Sequence, residues 1–155
     1  HPDGSFFHLS GWREVIHDAL GHRTHYLEAT EGRDIVGVLP LAEVRSVLFG
    51  HALISTPLCA YGGAVGRDSQ VVARLEEAAV ELAKALGVDY LELRNRTPTR
   101  SDWPTKDLYV TFRRPITEDH ERNLAAIPRK QRAMVRKGIA KQLAARSGRD
   151  VETLY

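Results

Sequence analysis

Apolar positions along this chain fall into alternating blocks of helical and extended spacing. Trp12, Val15, Ile16, Ala19 and Leu20 recur at helical intervals. Ser10 is placed to cap that helix and Gly21 to stop it. Extended runs follow at residues 24–29 and 35–44, joined by the polar turn Glu31-Gly32-Arg33-Asp34, which predicts a hairpin. Pro40 cannot donate to a ladder, so it predicts an edge position or a bulge in the second run. A third strand spans about residues 51–55. A loop of small residues, Thr56 to Gly66, leads to a strongly periodic helix carrying Val72, Leu75, Ala79, Leu82, Ala83 and Leu86. Asp68 or Ser69 is its expected N-cap and Gly87 its stop. Residues 88–94 alternate as a strand, a polar loop covers 95–106, and residues 108–112 read as a further strand. Helix, three strands, helix, two strands, helix is the order of an α/β or α+β fold, with a mixed twisted sheet flanked by helices.

The last helical block changes the picture most. Between Arg122 and Arg146 lie eight Lys/Arg and no Asp or Glu. The chain has 22 basic and 20 acidic side chains, so without this segment 14 basic face 20 acidic. An acidic body with a basic C-terminal segment attracts anions, phosphates above all. Leu124, Ile127, Met134, Val135, Ile139 and Leu143 can share one apolar stripe, with Arg129, Lys130, Arg136, Lys137 and Lys141 on its flanks. Pro128 suits the first turn. The pattern predicts an ordered helix presenting cations. A solvated basic face, a docking face for an acidic domain, and a phosphate or nucleic-acid (tRNA) contact all fit it.

With 155 residues, 43% hydrophobic and 27% charged, the chain has the composition of an ordinary globular domain. No apolar run approaches the roughly 18 residues a membrane span needs. The single Cys59 excludes an internal disulfide, and the scattered histidines form no metal-ligand spacing. The N-terminus lacks the basic start and apolar stretch of a signal peptide, so the expected compartment is the cytoplasm. Both ends read as cut: no initiator Met opens the chain, and Asp150 to Tyr155 reads as the start of a helix.

Candidate chemistry is sparse. Gly62, Gly63 and Gly66 would let backbone amides approach a ligand beside a helix N-terminus, or simply serve a tight turn. The spacing is neither a P-loop nor a dinucleotide fingerprint. The loop from Asn95 to Lys106 carries Arg96, Arg100, Trp103 and Lys106; Trp103 suits packing on a sugar or peptide, or covering the core. Ser10, Ser55 and Ser69 lack a nucleophile context, and no catalytic base declares itself.

Several strings resemble the FemAB-like proteins, in particular the subgroup associated with PEP-CTERM/exosortase systems in bacteria that make exopolysaccharide. They are Phe6-Phe7-His8 with Trp12, Gly21 to Tyr26, Ile35 to Leu41, Tyr61-Gly62-Gly63, Asp89 to Asn95, Trp103 to Phe112, and Ile127 to Gly138. The resemblance implies a FemABX-type protein built from two GNAT acyltransferase folds, a transferase acting on a cell-envelope or exopolysaccharide precursor. It implies that residues 1–115 form a first GNAT-like domain without its leading strand. Residues 116–155 would lead toward a second domain, absent from the sequence. The turn of acetyl-CoA-using GNAT proteins, Arg/Gln-x-x-Gly-x-Gly/Ala, is replaced by Cys59 to Gly66 without the leading Arg/Gln. This half is then expected to bind the acceptor rather than acetyl-CoA. The donor of the whole protein would be acyl-CoA or an aminoacyl-tRNA. The expected substrate contacts are Tyr61, Gly62, Gly63, Arg94, Trp103, Lys106, Arg129, Lys130 and Arg132, holding an anionic nucleotide-sugar or lipid-linked precursor. Rival readings are a tRNA-binding module and a non-catalytic scaffold in polysaccharide assembly. This chain alone is expected to be inactive and to hold no metal or cofactor.

Overall fold

The computed structural model describes residues 1–48 and 50–144. Arg146 and the helix start expected from Asp150 lie outside the described residues. The chain divides into two compact units, His1–Val110 and Thr111–Tyr155.

The first unit is a mixed sheet flanked by helices. After a short 3₁₀ turn at Phe6–His8 comes α1, Ser10–Leu20. Its N-cap is Leu9 rather than Ser10, and no side chain caps it. Gly21 ends it in the left-handed conformation (φ 67°), as its missing Cβ allows. β1 (Arg23–Glu31) and β2 (Asp34–Ser46) form the expected antiparallel hairpin, closed by Gly32-Arg33, with a register shift at Ala29/Thr30. β3 (Gly50–Ile54) pairs antiparallel with β2. A two-residue strand not visible in the sequence, β4 (Val65–Gly66), pairs with β2 at Gly37 and Val38. Helix α2 (Ser69–Leu86) then returns the chain to β5 (Tyr90–Glu92), which lies parallel to β3.

Pro40 is not on an edge. It pairs with Tyr26 on one side. On the other it falls between the β4 ladder, which ends at Val38, and the β3 ladder, which begins at Ala42. That side of β2 is unpaired at Pro40, so the missing N–H costs no ladder bond there.

Side chains alternate along β2. Leu39 and Leu41 meet Leu53, Leu75, Ala79 and Ala83 in the core beneath α2. Gly37 permits the closest approach: a Cβ there would stand 2.6 Å from Val71 and 3.0 Å from Leu75. Pro40 and Ala42, out of phase, are buried against the opposite face. Tyr26 shares that face, and Arg13 of α1 lies close enough to act on its phenol. α2 is fixed at its start by Asp68, whose Oδ1 accepts from Gln70 N–H (3.0 Å) and Val71 N–H (2.9 Å).

The strand expected at 108–112 is absent. Leu108, Tyr109, Val110 and Phe112 are between 70% and 92% exposed and join no ladder. Alternation alone did not make a strand where no partner edge is offered. The strand read over 88–94 is shorter, three residues.

The second unit holds the basic segment, which is two helices rather than one. α3 (His120–Ala125) begins at Asp119, whose side chain accepts from Arg122 N–H, and α4 (Arg129–Ala140) begins at Pro128. Proline disfavours helical geometry in the residue before it, which places the break at Ile127.

Candidate functional site

β3 and β5 are the parallel neighbours of the sheet, and their following loops leave from the same end. In open α/β sheets, ligands settle in the crevice outside the carboxyl ends of such strands. Here those loops are tied together. Ser55 N–H donates to Glu92 O (2.9 Å), Arg94 N–H to Ser55 Oγ (2.7 Å), and Gly62 and Gly63 N–H both to Arg94 O (3.0 and 3.1 Å).

Between them lies a cleft of about 280 Å³ whose walls include Asp3, His8, Tyr61, Gly63, Asn95 and Arg96. One wall is the Tyr61–Gly66 loop. Gly63 is obligatory there, since a Cβ would stand 1.7 Å from Asn95 Oδ1. Gly62 is equally tight against Thr56 Oγ1, at 1.9 Å. The glycines thus serve close packing of backbone on side chain. Their amides, expected to be open to a ligand, are occupied by Arg94 O.

The opposite wall is the segment after β5. Asn95 Nδ2 donates to Glu76 Oε1 (2.9 Å) and to Thr99 Oγ1 (2.8 Å), and the Thr99 hydroxyl donates to the same Glu76 oxygen (2.6 Å). Glu76 is 1% exposed and fixes this loop from inside α2. The sequence carried a signal for it: Glu76 sits four residues after Val72, on the apolar stripe of α2.

The floor is closed by the N-terminal segment. Ser5 N–H donates to His8 Nδ1 (3.1 Å), so that nitrogen is an acceptor and Nε2 carries the proton. His8 Nε2 then donates to Gly63 O (2.8 Å). The imidazole is a staple between the two segments, with no free lone pair at Nε2 to act as a base. Phe7 meets the Tyr61 ring edge-on at 6.1 Å between centroids. Arg96 lies over the Tyr61 ring, 5.8 Å from its centroid, and 3.8 Å from Asp3.

The structure sorts the expected contacts. Tyr61, Gly62 and Gly63 line the cleft. Arg94 does not reach it with its guanidinium: Nε donates to Glu92 (2.7 Å) and NH1 to Cys59 O (2.7 Å). Trp103 stacks under Arg100, 5.0 Å from the ring centroid, while Arg100 pairs with Asp102. Neither Trp103 nor Lys106 is among the lining residues. Arg129, Lys130 and Arg132 belong to the second unit. Arg132 donates to Ala125 O (2.8 Å) and Ile127 O (2.9 Å), closing the C-terminal end of α3. Arg96 was named only as one of the cations of the 95–106 loop, and His8, Asn95 and Thr99 were not expected as contacts, because a staple and a loop lattice are made by tertiary packing.

Cys59 is buried, and burial pushes its thiol up, against opposing pulls from Trp12, Thr56 and Arg94. A protonated buried thiol is a poor nucleophile. Among the described residues, Trp12 Nε1 and Thr56 Oγ1 are buried without a hydrogen-bond partner.

No family model and no curated protein matches the chain. Among solved structures it is similar to the crystal structure of a probable acetyltransferase, at 12% identity and a TM-score of 0.40, over 70% of this chain and 77% of that one. So distant a likeness carries no argument, and the FemAB-like resemblance rests on the sequence strings. The structure is a mixed α+β domain with a cleft at the carboxyl ends of its parallel strands.

Proposed function

We propose that this chain is the acceptor-binding part of a GNAT-like acyl- or aminoacyltransferase, of the FemAB-like kind, and that the acceptor's anionic end enters the Tyr61–Arg96 cleft. The observation that carries this reading is the cleft's position and lining. It lies at the carboxyl ends of β3 and β5, and one cation, Arg96, is held over one aromatic ring, Tyr61. An Arg fork suits phosphate or carboxylate, and an aromatic face suits a sugar ring. Such a site orients an amine or hydroxyl for attack on an activated ester delivered from elsewhere. A nucleotide-sugar or a lipid-linked precursor has the required chemistry.

Calorimetry with a panel of nucleotide-sugars tests the reading. Binding that weakens roughly tenfold in Arg96→Ala supports it, a loss in line with one charge-assisted hydrogen bond. Affinity that is undetectable for the whole panel, or unaltered by Arg96→Ala, overturns it.

A further inference from the structure

At 3.6 residues per turn, Arg129, Lys130, Arg136 and Lys137 of α4 fall on one half of the helix and Met134, Val135 and Ile139 on the other, with Arg132 at the boundary beside Ile139. No residue of α4 is buried. Met134 is 65%, Ile139 64% and Val135 39% exposed, so the apolar half is open. No Asp or Glu interrupts the chain between Arg122 and Arg146. Arg129 and Lys130 also occupy the first turn, where helix amides are already positive and which itself holds no acidic residue.

We propose that α4 is a membrane-surface helix that lies in the interface of an anionic lipid bilayer. Its apolar half enters the acyl boundary and its cations meet the headgroup phosphates. The combination selects this partner. A nucleic acid would pair with the cations and leave Met134 and Ile139 in water. An anionic bilayer uses both halves at once, and its affinity is the sum of apolar burial and electrostatic attraction. The negative charge of the surface complements the uninterrupted positive charge of the segment. A helix of 12 residues, about 18 Å long, is suited to lying on a membrane rather than crossing it. Phe112 and Ile116, 92% and 86% exposed beside Arg113 and Arg114, give the same unit further apolar anchors next to cations. The inference is independent of the Tyr61–Arg96 cleft.

Co-sedimentation of the 155-residue chain with vesicles decides it. The vesicles are phosphatidylglycerol and phosphatidylcholine in equal parts, or phosphatidylcholine alone. The expected result is partition into the anionic vesicles only. Charge reversal at Arg129, Lys130 and Lys137 to Glu should weaken it roughly a hundredfold, from the affinity each basic residue contributes at such a surface. Met134→Glu with Ile139→Glu should weaken it roughly tenfold or more, through lost apolar insertion. All five positions are exposed, and circular dichroism confirms that the variants keep their helices; Met134→Ser with Ile139→Ser serves as the milder apolar variant. Failure to partition overturns the proposal. So does partition that both apolar variants leave unchanged, since cations alone would then explain it. Binding to transfer RNA with none to vesicles would assign the helix to nucleic acid instead.

Discussion

His51 Nε2 lies 2.7 Å from Oε1 of Glu43, across the β2–β3 pair, at the end of the sheet away from the cleft. Glu43 is 5% exposed and collects further donors: Arg45 Nε at 3.0 Å and NH2 at 2.8 Å, with His25 Nε2 at 3.4 Å. The Arg45 hydrogen bond, helped by the two histidines and opposed by burial, holds the carboxyl down at about 2. The folded value lies below the ordinary carboxylate value of about 4.3, so the folded state binds its proton less readily than the unfolded chain. This contribution to stability is therefore full above pH of about 4.5 and disappears as pH falls toward 2. Glu43→Gln should lower stability at neutral pH by about 1–3 kcal/mol and flatten the acid limb in that window. Denaturant unfolding at a series of pH values measures both. An unchanged acid limb would show that Glu43 is not its source.

Gly63→Ala places a methyl 1.7 Å from Asn95 Oδ1 and 3.0 Å from Asn95 Cα, so backbone and side chain must both give way. The expected cost is about 1–3 kcal/mol, with loss of any ligand held in the cleft. Gly11→Ala is the matched control. Its added Cβ meets nothing within 4 Å, and it lies in α1, where alanine is the better helix former. Thermal unfolding of the two variants should move in opposite directions or leave Gly11→Ala unchanged.

Most of the framework was legible because local rules and tertiary packing agree. Asp68, Gly21 and Gly87 act as caps where spacing placed them, and the hairpin closes at Gly32-Arg33. The misses came where partners decide. Residues 108–112 alternate, but no strand edge receives them. β4 is two residues long, below any periodicity. Pro40 was read as an edge or a bulge because the sequence cannot show that β2 changes partner at that residue. The cleft was half legible. Tyr61-Gly62-Gly63 marked the place, but His8 and Thr99 reach it through tertiary contacts from 55 and 23 residues away in sequence.

Arg132 illustrates the difference between a basic residue and an available one. Its guanidinium donates to Ala125 O and Ile127 O, carbonyls left open where α3 ends. Arg132→Ala should lower the helicity of the second unit and destabilise it by about 1 kcal/mol. Arg129→Ala, which removes no such bond, should not. Far-ultraviolet circular dichroism during thermal unfolding separates them. Equal effects would mean that the α3–α4 corner does not depend on the Arg132 bonds.

Acetyl-CoA should not bind in the Tyr61–Arg96 cleft. A pyrophosphate held at a glycine loop needs open backbone amides. Here the Gly62 and Gly63 amides both donate to Arg94 O, and His8 holds the Gly63 carbonyl from the other side. The Arg94 guanidinium is bound to Glu92 and Cys59 O and cannot replace them. Opening the loop would break these bonds together, each worth about 1 kcal/mol. A ligand that uses the Arg96 side chain needs none of them broken. Acetyl-CoA is therefore expected to leave the melting temperature of the chain unchanged and to show no turnover with an amine acceptor. His8→Ala, which frees the Gly63 carbonyl but not the two amides, should leave that result as it is while loosening the N-terminal segment to limited proteolysis. A melting-temperature increase with acetyl-CoA that Arg96→Ala abolishes would instead make this cleft a donor site.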